Sequence, residues 1–172
     1  GSSVWLSSRR DKAGRADWFK PARIGFMGML AYIGLNLAIT QVARRDIEAA
    51  VPGGFDHFVA SPQPVAFWRR NLVWRKDSAY QSSSFDPLGL PRLSPFAAAT
   101  PSNITDPLVA EAIKASPRIA QFMRWSIMPM ARIKRIGCSA IVTFNDARYS
   151  EGLSRGSFHH EVKLPIPGAN CR

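Results

Sequence analysis

The chain has 172 residues, 46% of them hydrophobic, and a formal charge of +11 at neutral pH. A chain of this length forms about one domain, and its five Trp and ten Phe residues exclude an intrinsically disordered protein. The excess of Lys and Arg predicts attraction to polyanions, either nucleic acid or an anionic membrane surface, but it does not predict the fold.

Residues 1–20 are predicted to be a tag scar followed by a basic arm. Gly1 and Ser2 are typical of a cloning scar, which indicates that the chain begins inside a longer natural protein. The arm mixes basic residues with Trp5 and Trp18. Such a segment is typical of the loop that precedes a membrane helix. A frayed arm in front of a soluble helix is the alternative.

Residues 24–43 form a stretch of 20 residues without a charged side chain. This is about the length that crosses a bilayer's hydrocarbon core as a helix, but Asn36, Thr40 and Gln41 make its hydrophobicity borderline. The stretch is therefore either the last membrane helix of a longer protein or a long core helix of a soluble domain. We predict a helix over 21–51, because Pro21 suits its first turn and Pro52 with Gly53 ends it.

Within this helix, apolar residues recur at steps of three and four: Phe26, Leu30, Ile33 and Leu37. The stripe predicts packing against another element, in water or in lipid. We expect the part from about Leu35 to pack on the sheet. Residues 25–30 would contact a second copy and form a homodimer.

Residues 55–165 are predicted to form an antiparallel α+β domain, and residues 166–172 a tail. Alternating apolar and polar residues predict strands over 55–60, 67–75, 78–86, 127–136, 139–144 and 158–164. The prolines of residues 87–101 indicate an irregular loop. Asp106 with Pro107, and Ser116 with Pro117, each predict the start of a short helix. The predicted fold class is α+β: a long N-terminal helix, an antiparallel sheet of about five or six strands and two short inserted helices.

The two cysteines, Cys138 and Cys171, lie far apart in the sequence. Their spacing matches neither a disulfide framework nor a zinc site. Neither cysteine has a histidine near it in sequence that could activate it as a nucleophile.

Histidines and acidic residues offer no ligand cluster either. His159 and His160 are adjacent on a predicted strand, so their side chains face opposite sides and cannot both bind one ion. No pair of histidines has helical ligand spacing. We therefore predict no metal site and no cofactor in this chain.

A strand that combines aromatic and basic side chains, residues 67–76, is a candidate nucleic-acid platform on which bases stack. Its candidate basic surface consists of Arg69, Arg70, Arg75 and Lys76. Strand alternation would distribute rings and cations over both faces, so neither face is a clean stacking surface. We favour core aromatic residues with solvated arginines, and nucleic acid is not expected as a partner.

A candidate polar corner follows the clearest predicted strand and consists of Asp146, Arg148 and Tyr149, with His57 as a further member. Acidic, basic and phenolic groups in such proximity are a candidate functional site. The alternative is an internal ion pair that fixes the end of a strand.

Three sequence segments occur in an order that resembles a known family. They are VASPQP at 59–64 with FWR at 67–69, FMRWS at 122–126 with Pro129, and DARY at 146–149. Together they resemble the C-terminal portion of bacterial inner-membrane proteins classed as metal-dependent hydrolases, the family that includes the LexA-regulated membrane hydrolases. The resemblance covers about residues 20–164.

This resemblance implies a divalent metal in the parent protein, held by N-terminal membrane helices that precede this chain. No metal ligand carries over to a residue of this sequence, and no activity is expected of the chain alone. The chain is then the soluble C-terminal domain of an inner-membrane hydrolase, with a regulatory, substrate-gating or partner-binding role. Its expected partners are the parent's own membrane helices and anionic lipid. The side of the membrane stays open.

Two other functions remain as alternatives. The chain is a basic binding module for nucleic acid or anionic lipid, or it completes the active site of the parent with Asp146, Arg148 or His57. No catalytic residue is assigned from the sequence.

Overall fold

The computed structural model describes residues 19–149 and 160–166. The chain divides into two units, residues 1–41 and residues 42–172. In chain order the helices and strands are α1 (Lys20–Ala50), β1 (His57–Pro62), β2 (Arg70–Lys76), β3 (Ala79–Phe85), β4 (Thr100–Pro101), α2 (Pro107–Ala115), α3 (Pro117–Trp125), β5 (Pro129–Ile136), β6 (Ser139–Asp146) and β7 (His160–Pro165). A 3₁₀ turn, Ala147–Tyr149, follows β6.

Helix α1 is long and apolar enough to cross a membrane. In the first unit its apolar stripe is open, with Phe26 56%, Leu30 45%, Ile33 45% and Leu37 60% exposed. Full burial begins at Ala43, and partial burial begins at Asn36, next to the expected start at Leu35. Packing of this stripe against lipid or a second copy stays a prediction.

The last turns of α1 belong to the second unit. Ala43 and Ile47, one helical turn apart, are fully buried there. Asp46 forms an ion pair with Arg92 at 3.2 Å, in the loop after β3. These contacts make the end of α1 part of the folded domain.

The first sheet has four antiparallel strands in the order β1-β2-β3-β4. Asp77 and Ser78 connect β2 to β3 in a two-residue turn with φ angles of 49° and 63°. Both angles lie in the left-handed region, as a type I′ hairpin turn requires. The turn therefore lets Lys76 pair directly with Ala79.

The second sheet has three antiparallel strands in the order β5-β6-β7. Helices α2 and α3 cover one of its faces. Helix α2 is capped by the Asp106 carboxylate, which accepts a hydrogen bond from Leu108 N at 2.8 Å. The resulting core contains Val109, Ala112, Ile119, Phe122, Ala131, Val142, Phe144 and Leu164. Gly137, with φ of 55°, makes the β5–β6 turn together with Cys138.

A smaller apolar cluster joins the two sheets. Val73 and Tyr80 of the first sheet pack with Met128, Met130 and Ala147 around the second. The Tyr80 hydroxyl donates a hydrogen bond to the Pro129 carbonyl at 3.1 Å. The start of β5 is consequently buried on both of its faces.

The α+β class is confirmed, with the strands divided between two sheets of four and three instead of gathered in one. Both short helices begin at the predicted prolines. Strand β2 begins at Arg70, later than predicted, because Arg69 N donates to the Ala66 carbonyl at 2.8 Å and the chain turns there. The short strand β4 lies inside the predicted loop 87–101.

Cys138 is disulfide-bonded, which its sequence spacing did not predict. Thiol pairing depends on proximity in the folded chain and not on spacing along it. The segment after β7 returns to this turn, where Ile166 N donates to the Cys138 carbonyl at 2.8 Å. The chain contains one other cysteine, Cys171, which lies outside the described residues.

Candidate functional site

A cleft of about 310 Å³ lies in the second unit, between the first sheet and the 3₁₀ turn after β6. Strands β2 and β3, the loop after β3 and the 3₁₀ turn all contribute to its wall. Its hydrogen-bonding side chains are those of Asn71, Ser82, Ser83, Ser84, Ser94 and Arg148. This density of polar groups fits a polar ligand better than an apolar one.

The loop after β3 fixes the serine side of the cleft. Ser94 N donates to the Ser84 carbonyl and Ala97 N to the Ser82 carbonyl, each at 2.9 Å, so this loop runs beside β3. The Ser83 hydroxyl donates to the Ser94 carbonyl at 2.8 Å, and Ser84 N donates to Ser94 Oγ at 2.9 Å. The hydroxyl groups are therefore held in place before any ligand arrives.

Asp146, at the end of β6, is fully buried and accepts six hydrogen bonds. Three of them come from the segment between α3 and β5: Ser126 Oγ at 2.8 Å, Ile127 N at 3.2 Å and Met128 N at 3.4 Å. The others come from Arg148, whose backbone N, Nε and Nη2 lie 2.9 to 3.0 Å from the carboxylate. Asp146 thus ties the 3₁₀ turn to the start of β5.

The electrostatic balance at this pair favours its charged form. Burial acts to raise the pKa of Asp146, but the hydrogen bonds from Arg148 and Ser126 outweigh it and hold that pKa below its ordinary value. The hydrogen bond to Asp146 raises the pKa of Arg148, against the opposite effect of burial. Both groups therefore stay ionised over the physiological range.

Arg148 lies between the buried carboxylate and the cleft. Its side chain is 15% exposed, and its Nε and Nη2 face Asp146. Among residues 19–149 and 160–166, no hydrogen-bond partner is found for its Nη1. The Arg148 guanidinium also lies 5.1 Å from the centre of the Tyr149 ring. Nε and Nη2 of the guanidinium are thus bonded to Asp146, and Nη1 can donate to a ligand.

The structure brings together three members of the predicted polar corner, Asp146, Arg148 and Tyr149. His57 lies elsewhere, exposed at the start of β1 and opposite Arg75 in the strand register. In the described part of the chain, no hydrogen bond or ion pair connects the His57 side chain to Asp146. The ion pair at the end of β6 is the arrangement expected of a strand-fixing pair.

The four residues of the predicted basic surface do not form one cationic patch. Arg70 is 1% exposed and donates to the carbonyls of Phe67 and Arg69, so it is buried and not solvated as expected. Arg69 pairs with Asp86 at 2.7 Å, and Arg75 pairs with Asp56 at 3.7 Å. Lys76 donates to the Pro52 carbonyl. Each cation therefore has its own local partner.

Sequence reasoning missed the serines of the cleft and the role of Ser126. The cleft serines could have been noticed from the run Ser82, Ser83, Ser84, because a strand usually alternates apolar and polar residues. Ser126 ends the FMRWS segment and Asp146 begins the DARY segment, so two segments of the resemblance meet through one hydrogen bond of 2.8 Å.

Within the described ranges, no group of three or more His, Cys, Asp or Glu side chains could hold a metal ion. The polar side chains of the cleft carry hydroxyl, amide and guanidinium groups, which do not match the ligand set of a divalent hydrolase metal. Comparison of the chain with protein-family models, curated proteins and solved structures finds no match.

Proposed function

We propose that residues 42–172 form a ligand-binding domain that α1 anchors to a bacterial inner membrane. The observation that supports the anchor is that apolar side chains are exposed around the whole circumference of α1. At 100° per residue, Phe26, Met27, Leu35, Tyr32 and Met29 point in successive directions around the axis, and each is about half exposed or more. A helix that is apolar on all sides is typical of a membrane span. Of the two alternatives for residues 24–43, we therefore propose the membrane helix.

Asn36, one of three polar residues within the candidate span, is compatible with this environment. The Asn36 amide donates to the Tyr32 carbonyl at 2.9 Å, one turn earlier. A polar side chain that bonds the helix backbone needs no water, which lowers its cost in hydrocarbon.

The proposed parent is an inner-membrane protein of the metal-dependent hydrolase type, as the sequence resemblance implies. In that protein the divalent metal belongs to helices that precede this chain, and no step of the proposed function passes through it. The domain's role is to bind a ligand or substrate. Pairing of two copies through α1 stays a prediction.

The ligand class follows from the donors of the cleft. The Ser84 hydroxyl, the Asn71 amide and Arg148 offer donors around one space of about 310 Å³, while the Ser83 hydroxyl already donates to the Ser94 carbonyl. Carboxylate and phosphate oxygens accept such bonds, and an arginine strengthens them. We therefore propose a small ligand that presents a carboxylate or phosphate group.

The test is an NMR titration of the full chain in detergent micelles with acetate and inorganic phosphate as probes. Saturable shifts should be confined to the cleft residues. Asn71→Ala and Ser84→Ala should each weaken binding roughly 2- to 10-fold, since a net hydrogen bond contributes about 0.5–1.5 kcal/mol. Gln121→Ala, on the exposed side of α3, is the matched control and should change nothing. Shifts that scatter over the domain or never saturate would refute the cleft as the ligand site.

A second candidate function, binding to anionic lipid, is favoured by the open face of the second sheet. Lys134 pairs with Ile141, which pairs with Lys163, so these two lysines lie in one row across the sheet. Arg132 lies two residues from Lys134 on the same face, and all three cations are exposed. Glu161 is the acidic residue in the neighbouring row. The basic surface of this candidate is thus on β5 and β7 and not on β2.

A further inference from the structure

The disulfide at Cys138 restricts the compartment in which the second unit folds. With two cysteines in the chain, the partner within one molecule is Cys171. Cys171 follows Ile166 by five residues, and Ile166 N is hydrogen-bonded to the Cys138 carbonyl. The described backbone therefore ends, at Ile166, beside the turn that holds Cys138. Disulfides persist in oxidising compartments such as the bacterial periplasm and are rare in the cytosol.

The charges that flank α1 form a second and independent observation. The 20 residues before Ile24 contain six basic residues, namely Arg9, Arg10, Lys12, Arg15, Lys20 and Arg23. The 20 residues after Ala43 contain two, Arg44 and Arg45. Lys and Arg close to a membrane helix favour the cytoplasmic side, while acidic residues have little effect. The asymmetry favours a cytoplasmic position for the N-terminal end of α1.

We propose that α1 crosses the membrane with its N-terminal end in the cytoplasm, so that residues 42–172 lie on the extracytoplasmic, oxidising side. The two observations concern different parts of the chain, and both give the same orientation. The inference rests on the proposed membrane-spanning role of α1. It also deepens the proposed function, because the ligand of the serine cleft is then an extracytoplasmic carboxylate or phosphate compound.

Formation of the disulfide requires an electron acceptor. The two thiols lose two protons and two electrons as the S–S bond forms. A protein disulfide of a thiol oxidoreductase is reduced to a dithiol in the same exchange. Such exchange proceeds through a mixed disulfide on the exposed side of the membrane. Membrane insertion must therefore precede oxidation of Cys138.

The first test measures the thiols in bacteria that express the full chain. Cells are denatured in acid, and a polyethylene-glycol maleimide is added before or after reduction. We expect no adduct before reduction and two adducts after it. Cys138→Ser is the matched control and should give one adduct without reduction. Two adducts on the unreduced wild-type chain would overturn the inference.

The second test measures orientation and anchoring separately. Alkaline phosphatase is active only outside the cytoplasm, so a fusion of it to the C-terminus of the chain should be active. Membranes of the cells that express this fusion should retain it after carbonate extraction. Replacing Arg9, Arg10, Lys12 and Arg15 with Ser should lower the phosphatase activity per molecule several-fold. An inactive fusion that stays in extracted membranes would overturn the orientation and leave the anchor intact. A chain released by carbonate would overturn the anchor itself.

Discussion

At the scale of single residues, Asp146 explains why the polar corner lies at the end of β6. Its carboxylate collects bonds from Ser126, Ile127 and Met128 on one side and from Arg148 on the other. A buried carboxylate with six bonds is fully satisfied and primarily structural. Asp146 thereby also fixes the position of Arg148, which lines the cleft.

Replacing Asp146 with Asn should destabilise the domain by about 3–5 kcal/mol, the usual cost when one partner of a buried ion pair is removed. Thermal or denaturant unfolding of the full chain in detergent, followed by Trp fluorescence, measures the loss. Asp56→Asn is the matched control, because the Asp56 side chain is 61% exposed and its ion pair is at the surface. Surface pairs contribute about 0–1 kcal/mol. An equal loss for both variants would contradict the structural role of Asp146.

The lowered pKa of Asp146 also gives a pH dependence. Since the folded-state pKa lies below the unfolded value of about 3.9, the unfolded chain binds more protons in that range. The stabilisation is complete above the unfolded pKa and is lost as pH falls through the folded pKa. The unfolding free energy of the wild type should therefore fall more steeply below about pH 4 than that of Asp146→Asn. Parallel pH profiles for the two proteins would count against this.

Sequence reasoning at the residue scale succeeded where the interaction is local. The Asp146–Arg148 ion pair spans two positions, and the capping role of Asp106 acts on Leu108. Burial of Arg70 was not predictable, because it depends on which face of β2 the fold covers. The disulfide of Cys138 was missed for the same reason, since its geometry arises only after β7 returns beside β6.

At the scale of elements, α1 is the element whose two parts belong to different units. The sequence predicted one helix and its ends within one residue, because Pro21 and Pro52 are local signals. The periodic stripe did not reveal where burial starts. A helix that is apolar on all sides contains many stripes at steps of three and four, and only contacts distant in sequence select Ala43 and Ile47 as the buried ones.

Truncation of α1 side chains should separate its two parts. Ile47→Ala should cost about 2–5 kcal/mol of unfolding free energy, the usual range for a buried Ile. Leu37→Ala, the matched control, should change it by less than about 0.5 kcal/mol, since Leu37 is 60% exposed. Unfolding of the full chain in micelles measures both. A large loss for Leu37→Ala would show that the earlier part of α1 also packs in a core.

The cleft illustrates the limit of prediction at this scale. Strand β3 and its hairpin with β2 follow from alternation and a short turn. The loop of Ser94 and Ala97 forms the third wall through two backbone hydrogen bonds to β3. No turn signal marks that return, so the sequence predicted the strands but not the space beside them.

At the scale of the whole molecule, the cations that give the charge of +11 differ in whether they can contact a polyanion. Several cations are taken up by local partners, as Arg69, Arg75 and Arg148 are. Others lie exposed on the second sheet. The total charge therefore predicts weak attraction to polyanions, while the arrangement decides which surface mediates it.

Full chains held in zwitterionic nanodiscs should associate with vesicles that contain phosphatidylglycerol at about 10 mM salt, and largely dissociate near 150 mM, because the Debye length falls from about 30 Å to about 8 Å. Co-flotation measures the bound fraction. Arg132→Glu combined with Lys134→Glu should abolish it. Arg118→Glu, at an exposed position of α3, should have little effect. Duplex DNA should bind weakly and without sequence preference, and tight DNA binding at 150 mM salt would favour the nucleic-acid module instead.

The central claim is that α1 anchors the domain in a membrane, and one measurement tests it most directly. Membranes from bacteria that express the full chain are washed with alkaline carbonate and then floated through a density gradient, which separates integrated protein from aggregates. The chain should float with the lipid. Leu30→Arg with Ile33→Arg should be released, because each Arg at the centre of a span costs about 2.5–3.5 kcal/mol. Leu88→Arg, in an exposed loop of the domain, should float like the wild type. Release of the wild-type chain by carbonate would contradict the account.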